Sequence, residues 1–330
     1  MKTLTSINPV FVIVVVMVGA IPLLLSGTEI NPVLLIASLM VAATPLLIAA
    51  IGELVVEKAG VLNLGVEGMM IVGAIAGFAI SVETGSALVG ALAAIVAGAL
   101  LSLLFAFLTQ FALANQVASG LALTLFGLGL SALMGQSYVG IRPPAMAKLD
   151  LPVISDLPVV GPILFSHDPI LYVGIGLCAA VWGLLKFSRA GLVLRAVGEN
   201  HDAAHALGYH VIRVRVLAIM FGGACAGLGG AYISLIRVPQ WTEGMTAGIG
   251  WIALALVVFA SWKPWRVLLG AYLFGGINVL QLNLQAAGIA IPVEYLAMSP
   301  YLITILVLVI MSADKSGAPA SLGRSFHASQ

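Results

Sequence analysis

The sequence predicts an all-α membrane protein of about ten transmembrane helices with both termini in the cytoplasm. Three observations carry that prediction. Of 330 residues, 61% are hydrophobic and 8% charged, against about 25% charged in soluble domains, so no water-facing surface can be built. The charges are separated by long apolar runs, and about 20 apolar residues span a bilayer. The 14 Lys and Arg residues divide 11 to 3 between alternate connections, the asymmetry that marks cytoplasmic loops. The net charge of +1 offers no surface for nucleic acid. Cys178 and Cys225 sit inside apolar runs, which argues against a disulfide framework or a zinc site.

Taken in order, the spans fall near 9–27, 33–51, 60–81, 87–111, 117–137, 169–186, 213–234, 247–261, 267–285 and 298–312. The first follows Lys2 but is long for a signal-peptide core, and Ser26-Gly27-Thr28 is a poor cleavage site, so it reads as a retained span. The second ends before Glu53, Glu57 and Lys58, which read as an interfacial ion-pair cluster. The third fills a bilayer only if it starts near Gly60, which takes Asn63 and Glu67 into the membrane on one helical face. The uncharged stretch 84–141 is too long for one span and breaks at Asn115-Gln116. Gly73-x-x-x-Gly77 and Gly223-x-x-x-Gly227 predict close helix packing.

With the N-terminus inside, Lys2, Lys58, Lys186, Arg189, Arg195, Arg213, Arg215, Lys263, Arg266, Lys315 and Arg324 are cytoplasmic, as is the tail 313–330. Arg142, Lys148 and Arg237 are external. The external loop 138–168 carries Pro143, Pro144, Pro152, Pro158 and Pro162, and proline fixes φ and removes donors. Too apolar for disorder, it is expected to cap the helix ends.

The cytoplasmic loop 186–215 contains Asn200 as a helix N-cap, Asp202 in the first turn and Gly208 suited to the C′ position. These predict a helix over 201–207. It is too short to stand alone in water and must dock, presenting Ala203, Ala204 and Ala206.

The stretch Arg195-Ala-Val-Gly198-Glu199-Asn200-x-x-Ala203-Ala204-x-x-x-Gly208 resembles the coupling loop of permease subunits of ATP-binding-cassette importers, in the branch serving simple sugars, nucleosides and branched-chain amino acids. The block from Ala43-Thr-Pro-Leu46 through Gly52-Glu-Leu-Val-Val-Glu57-Lys58 to Asn63-Leu-Gly-Val-Glu67-Gly-Met-Met70 is similar to nucleoside-type permeases. A third block is Leu151-Pro-Val-Ile-Ser-Asp-Leu-Pro-Val-Val-Gly-Pro162. The resemblance implies a permease in the cell inner membrane, in a heterodimer with a second permease. It further implies two cytoplasmic ATPases and an external solute-binding protein or lipoprotein. The substrate is expected to be a nucleoside, with simple sugars and branched-chain amino acids as alternatives. Coupling to the ATPases falls on Arg195, Gly198, Glu199, Asn200, Ala203, Ala204 and Gly208. The chain has no phosphate loop: Gly60 and Gly65 have the glycine spacing, but Val66 stands where the lysine belongs. It is therefore expected to bind no cofactor itself, with ATP held by the partner subunits.

For a translocation path the candidates are Asn63, Glu67 and a stripe of amides, Asn278, Gln281 and Gln285. Spaced i, i+3, i+7, the amides share a helical face. Uncharged amides suit a neutral, hydroxyl-rich solute, and equally suit hydrogen bonding between helices. Glu67 reads either as a pathway carboxylate or as a structural hydrogen-bond partner; it is the sole candidate for ion coupling. No nucleophile, base or acid pair suggests an enzyme, and His201 and His205 lack the glutamate of a zinc-protease motif.

Overall fold

Packing of small residues against small residues organises the bundle. The computed structural model describes residues 31–149, 157–286 and 317–327, with isolated positions at 155, 292, 294–295, 298–299, 302 and 305. Ten α-helices are described: α1 Pro32–Lys58, α2 Val66–Thr84, α3 Ala87–Ala106, α4 Gln116–Gly135, α5 Pro169–Phe187, α6 Arg189–Glu199, α7 His201–Ala206, α8 Val211–Tyr232, α9 Ile249–Phe259 and α10 Pro264–Ala286. α3 and α8 run on into π turns at Phe107–Phe111 and Ile233–Arg237. Among the described residues there is no strand beyond one isolated bridge, Val139 to Trp241. Seven of these helical stretches are long and apolar enough to cross a membrane. Of the ten expected spans, 9–27 lies outside the described residues and 298–312 almost wholly so.

On α3 the inward face is small and the outward face large, which lets helix backbones approach closely. α3 turns Gly90, Ala94, Gly98 and Ser102 inward and leaves Leu88, Leu92, Val96 and Leu100 exposed. At the centre, α8 lies against α1, α2 and α3. Gly227 makes this possible: a Cβ on it would strike the Ala94 carbonyl, and one on Gly73 would strike Gly227 itself. Both glycine pairs expected to pack closely do so.

Four boundaries differ from expectation. α1 continues to Lys58, so Glu53 and Glu57 lie within the helix, both buried. They make no ion pair with Lys58, whose Nζ donates to the Gly317 carbonyl at 2.9 Å. α2 begins at Val66, because Gly60 takes a left-handed φ of 83° and the Asn63 side chain closes a turn onto the Gly65 N–H at 3.0 Å. Asn63 therefore lies in a loop and not on the Glu67 helix face. The span expected over 247–261 shortens to α9, its N-terminal extension stopped by left-handed Ala247 and Gly248 and its end by left-handed Ser261 and Trp262. Eleven residues rise about 16 Å, half of a hydrocarbon core of about 30 Å. Finally, the first part of 186–215 is the amphipathic helix α6, which the caps of α7 alone did not reveal.

Lys58, Arg195, Arg215, Lys263 and Arg324 gather at one end of the bundle, where the ends of α1 and α9 meet α6, α7 and residues 317–327. The opposite end holds Lys148, and there the Asp168 carboxylate accepts from the Leu171 N–H and the Tyr232 hydroxyl.

Candidate functional site

Two arrangements stand out, a platform at the basic end and a junction inside the bundle. The platform is two short helices set nearly end to end. Ser188 caps α6, its Oγ accepting from the Gly191 N–H at 2.9 Å, and Asn200 caps α7, accepting from the Ala203 N–H at 2.9 Å. Gly208, at φ 87°, ends α7 and donates its N–H to the His205 carbonyl at 2.8 Å. The caps read from the sequence at Asn200 and Gly208 are thus both in use, and Asp202 stands in the first turn. The two central alanines face opposite ways. Ala204 is buried against Val197, Val211 and Phe326, whereas Ala203 is exposed beside Ala206 and a Leu207 that is 77% exposed. Arg195 donates back to the Gly191 carbonyl, and Glu199 is exposed.

Gly198 lets this platform touch the bundle. A Cβ there would overlap the Lys58 carbonyl oxygen. Arg215, fully buried, supplies the second tie: Nε donates to the Ala59 carbonyl at 3.2 Å, Nη1 to the Arg324 carbonyl at 3.0 Å, and Nη2 lies 3.1 Å from His201 Nδ1. With Nδ1 accepting from a guanidinium, the imidazole is the neutral Nε2–H tautomer. Burial and the Arg215 charge both push the His201 pKa below its usual value of 6.5, while Asp202 opposes them. Residues 317–327 form the third tie, a strap that the sequence did not reveal. Ser321 donates from its N–H to the Gly198 carbonyl at 2.9 Å, Gly323 donates to the Gly60 carbonyl at 3.2 Å, and the Phe326 ring stands edge-on to His201 and His205. Arg215 entered the sequence reading only as a topology charge.

From Gly60 the chain turns back into the bundle. Glu53 accepts from the Asn63 N–H at 3.3 Å and from its amide at 3.4 Å, and the Leu62 N–H donates to Gln116 at 2.9 Å. α2 then starts beside the start of α9. Glu67 accepts at Oε1 from the Thr246 hydroxyl at 2.5 Å and the Gly248 N–H at 3.0 Å, and at Oε2 from the Gly250 N–H at 2.7 Å. The carboxylate sits on the positive ends of two helices at once, where free N–H groups require acceptors. Sequence patterning missed this junction; its one local trace is the glycines at 244 and 248, both at left-handed φ. The amide stripe lies elsewhere, on α10: Asn278, Gln281 and Gln285 are half-buried, and Asn278 donates to the Phe274 carbonyl at 3.1 Å.

Two capped short helices thus stand at the basic end of a bundle with seven helical stretches long and apolar enough to cross a membrane. The family model for the branched-chain amino acid transport system permease component matches residues 35–311. The chain belongs to that family. It is a multi-pass membrane protein and an ABC transporter permease subunit. It is 42% identical over 248 residues to the putative glucose ABC transporter permease protein TsgC13 of Haloferax volcanii, covering 74% of this chain and 75% of that one. It is 34% identical to the guanosine ABC transporter permease protein NupQ of Bacillus subtilis, over 79% of this chain and 86% of that one. Against the nucleoside ABC transporter permease protein NupC of Lactococcus lactis the identity is 32%, over 84% and 91% of the two chains. No solved structure matches.

Proposed function

We propose that this permease imports nucleosides across the cell inner membrane, in a heterodimer with a second permease, driven by two cytoplasmic ATPases and supplied by an external binding protein. The observation that carries the coupling role is the set of ties between platform and bundle. Gly198 on Lys58, Arg215 on Ala59 and Gly323 on Gly60 join α6 and α7 to the loop that leads to Asn63 and Glu67. A push on exposed Ala203, Ala206 and Leu207 is carried to the start of α2 through short, buried contacts that resist compression. Arg195, Glu199, Asn200 and Gly208 shape that surface. Within the bundle, Asn278, Gln281 and Gln285 on α10 line the path, and Asn63 and Glu67, at the separate junction of α2 with α9, line another stretch of it. Likeness to NupQ and NupC supports the nucleoside.

A second reading, simple-sugar import, is favoured by the likeness to TsgC13. The test is uptake of labelled guanosine, glucose and leucine by cells carrying the full set of subunits and lacking their own carriers. Guanosine is expected to accumulate in an ATP-dependent manner; glucose or leucine accumulating instead would overturn the nucleoside reading.

A further inference from the structure

We infer that the strap 317–327 carries the platform's movement to α9, with Ser321 gripping the platform and Gly317 bearing on the turn that ends α9. The inference rests on the coupling role proposed above and deepens it. Ser321 is buried where α6 passes into α7. Its N–H donates to the Gly198 carbonyl at 2.9 Å, and its Oγ accepts from the His201 N–H at 3.3 Å and donates to the Glu199 carbonyl at 3.3 Å. The last carbonyls of one helix and the first N–H of the next have no partners within their own helices, and here one residue serves both. Phe326 adds a buried ring against Val197, Ala204 and Val211. Gly323 and Arg324 are tied to the Gly60 carbonyl and to Arg215. Platform, strap and the loop after α1 therefore move as one body.

That body meets α9 at Gly317. The Gly317 carbonyl accepts from Lys58 Nζ at 2.9 Å, and a Cβ on Gly317 would lie 2.5 Å from the Ser261 carbonyl oxygen. Ser261 and Trp262 take left-handed φ of 49° and 54°. Two such residues in succession are costly when both carry a Cβ, and the arrangement persists only where neighbours impose it. The neighbours are Glu57, which accepts from the Trp262 indole N–H, Arg266, which donates to Ser261 Oγ at 3.1 Å, and the strap. At its other end α9 follows left-handed Ala247 and Gly248 and is held by Glu67. It is a short rod between two strained turns, and element-terminal residues of this kind are where a hinge absorbs its change in φ and ψ. The strap touches one of them.

The experiment uses the chain assembled with its partner subunits in proteoliposomes. It reads ATP hydrolysis, melting temperature and uptake of labelled guanosine, glucose or leucine, whichever the wild type accumulates. Hydrogen exchange at Ser261 and Trp262 is followed with and without a non-hydrolysable ATP analogue. Ser321→Ala loosens the grip on the platform, and Gly317→Ala alters the contact with the turn. Each should lower uptake per ATP hydrolysed several-fold while hydrolysis continues, and each should blunt the response of Ser261 and Trp262 to nucleotide. Uptake and hydrolysis falling in proportion, with a lower melting temperature, would make the strap a fold element only and overturn the inference. A wild-type response at Ser261 and Trp262 in either variant, or a wild-type uptake per ATP, overturns it as well. Wild-type uptake in Ala203→Trp overturns instead the coupling reading beneath it, a separate result.

Discussion

The carboxylate of Glu67, on the first turn of α2, accepts a hydrogen bond from the Gly250 N–H on the first turn of α9 at 2.7 Å. With Thr246 and Gly248 on its other oxygen, it joins a full span to a half-length helix inside the bundle. Glu67→Leu strands two backbone donors and a hydroxyl, for a loss of about 3 kcal/mol or more. Glu67→Gln retains an acceptor and should lose less. Thermal unfolding of the assembled transporter in detergent measures both. A Glu67→Leu protein as stable as wild type would remove the strut.

This junction also marks where sequence patterning stopped being informative. Long apolar runs, Asn115-Gln116 and the caps at Asn200 and Gly208 were legible because each acts through local backbone chemistry. α9 was legible as apolar but not as half-length, since its start is set by left-handed Ala247 and Gly248 and by a carboxylate 183 positions away in the chain from Gly250. Glu53, Glu57 and Lys58 looked interfacial for the same reason: their partners Asn63, Trp262 and Gly317 come from other segments. Periodicity carries no information about such pairs. The strap residues 321–326 were invisible because a tail of small and polar residues gives no periodic signal.

The two alanines of α7 separate coupling from folding. Ala203 is exposed and Ala204 is 2% exposed against Val197, Val211 and Phe326. Ala203→Trp should leave the subunit folded but abolish uptake while the ATPases still co-purify or hydrolyse ATP uncoupled. Ala204→Trp should instead destabilise the platform by about 1–3 kcal/mol through overpacking. Uptake, ATPase activity and melting temperature measured together distinguish them. Wild-type uptake in Ala203→Trp would exclude this face from docking.

His201 makes the platform sensitive to acid. Its pKa is lowered in the folded chain by burial and by Arg215, with Arg324 and His327 acting in the same direction and Asp202 against them. A depressed histidine contributes stability that is full above the unfolded value of about 6.5 and is lost as pH falls through the folded value. Protonation also removes the Nδ1 acceptor for Arg215. Protection of α6 and α7 from hydrogen exchange should therefore fall below about pH 6.5, and His201→Gln should flatten that dependence. An equal pH response in the variant would assign it to another group.

Orientation is testable from the two ends. Lys148→Cys lies at the end opposite the platform, and His205→Cys lies on α7, both exposed. A membrane-impermeant thiol reagent on intact cells should modify the first and spare the second. The reverse pattern would put the platform outside and end the coupling argument.

The amides of α10 pose the sharpest choice between path and packing. Asn278 already donates to its own helix at Phe274, and Asn283, off the stripe, does the same to Val279, so neither amide hydrogen bond ties α10 to a neighbour. Gln281 and Gln285 are half-buried on the same face. If the face meets solute, Asn278→Leu and Gln281→Leu should cut uptake per folded molecule several-fold with little change in stability. If it holds helices together, the loss should appear as lower thermal stability, about 0.6 kcal/mol for each interhelical bond. A Leu282→Ala control tests an exposed position on the same helix. Uptake per folded molecule equal to wild type in both amide variants would make the stripe structural.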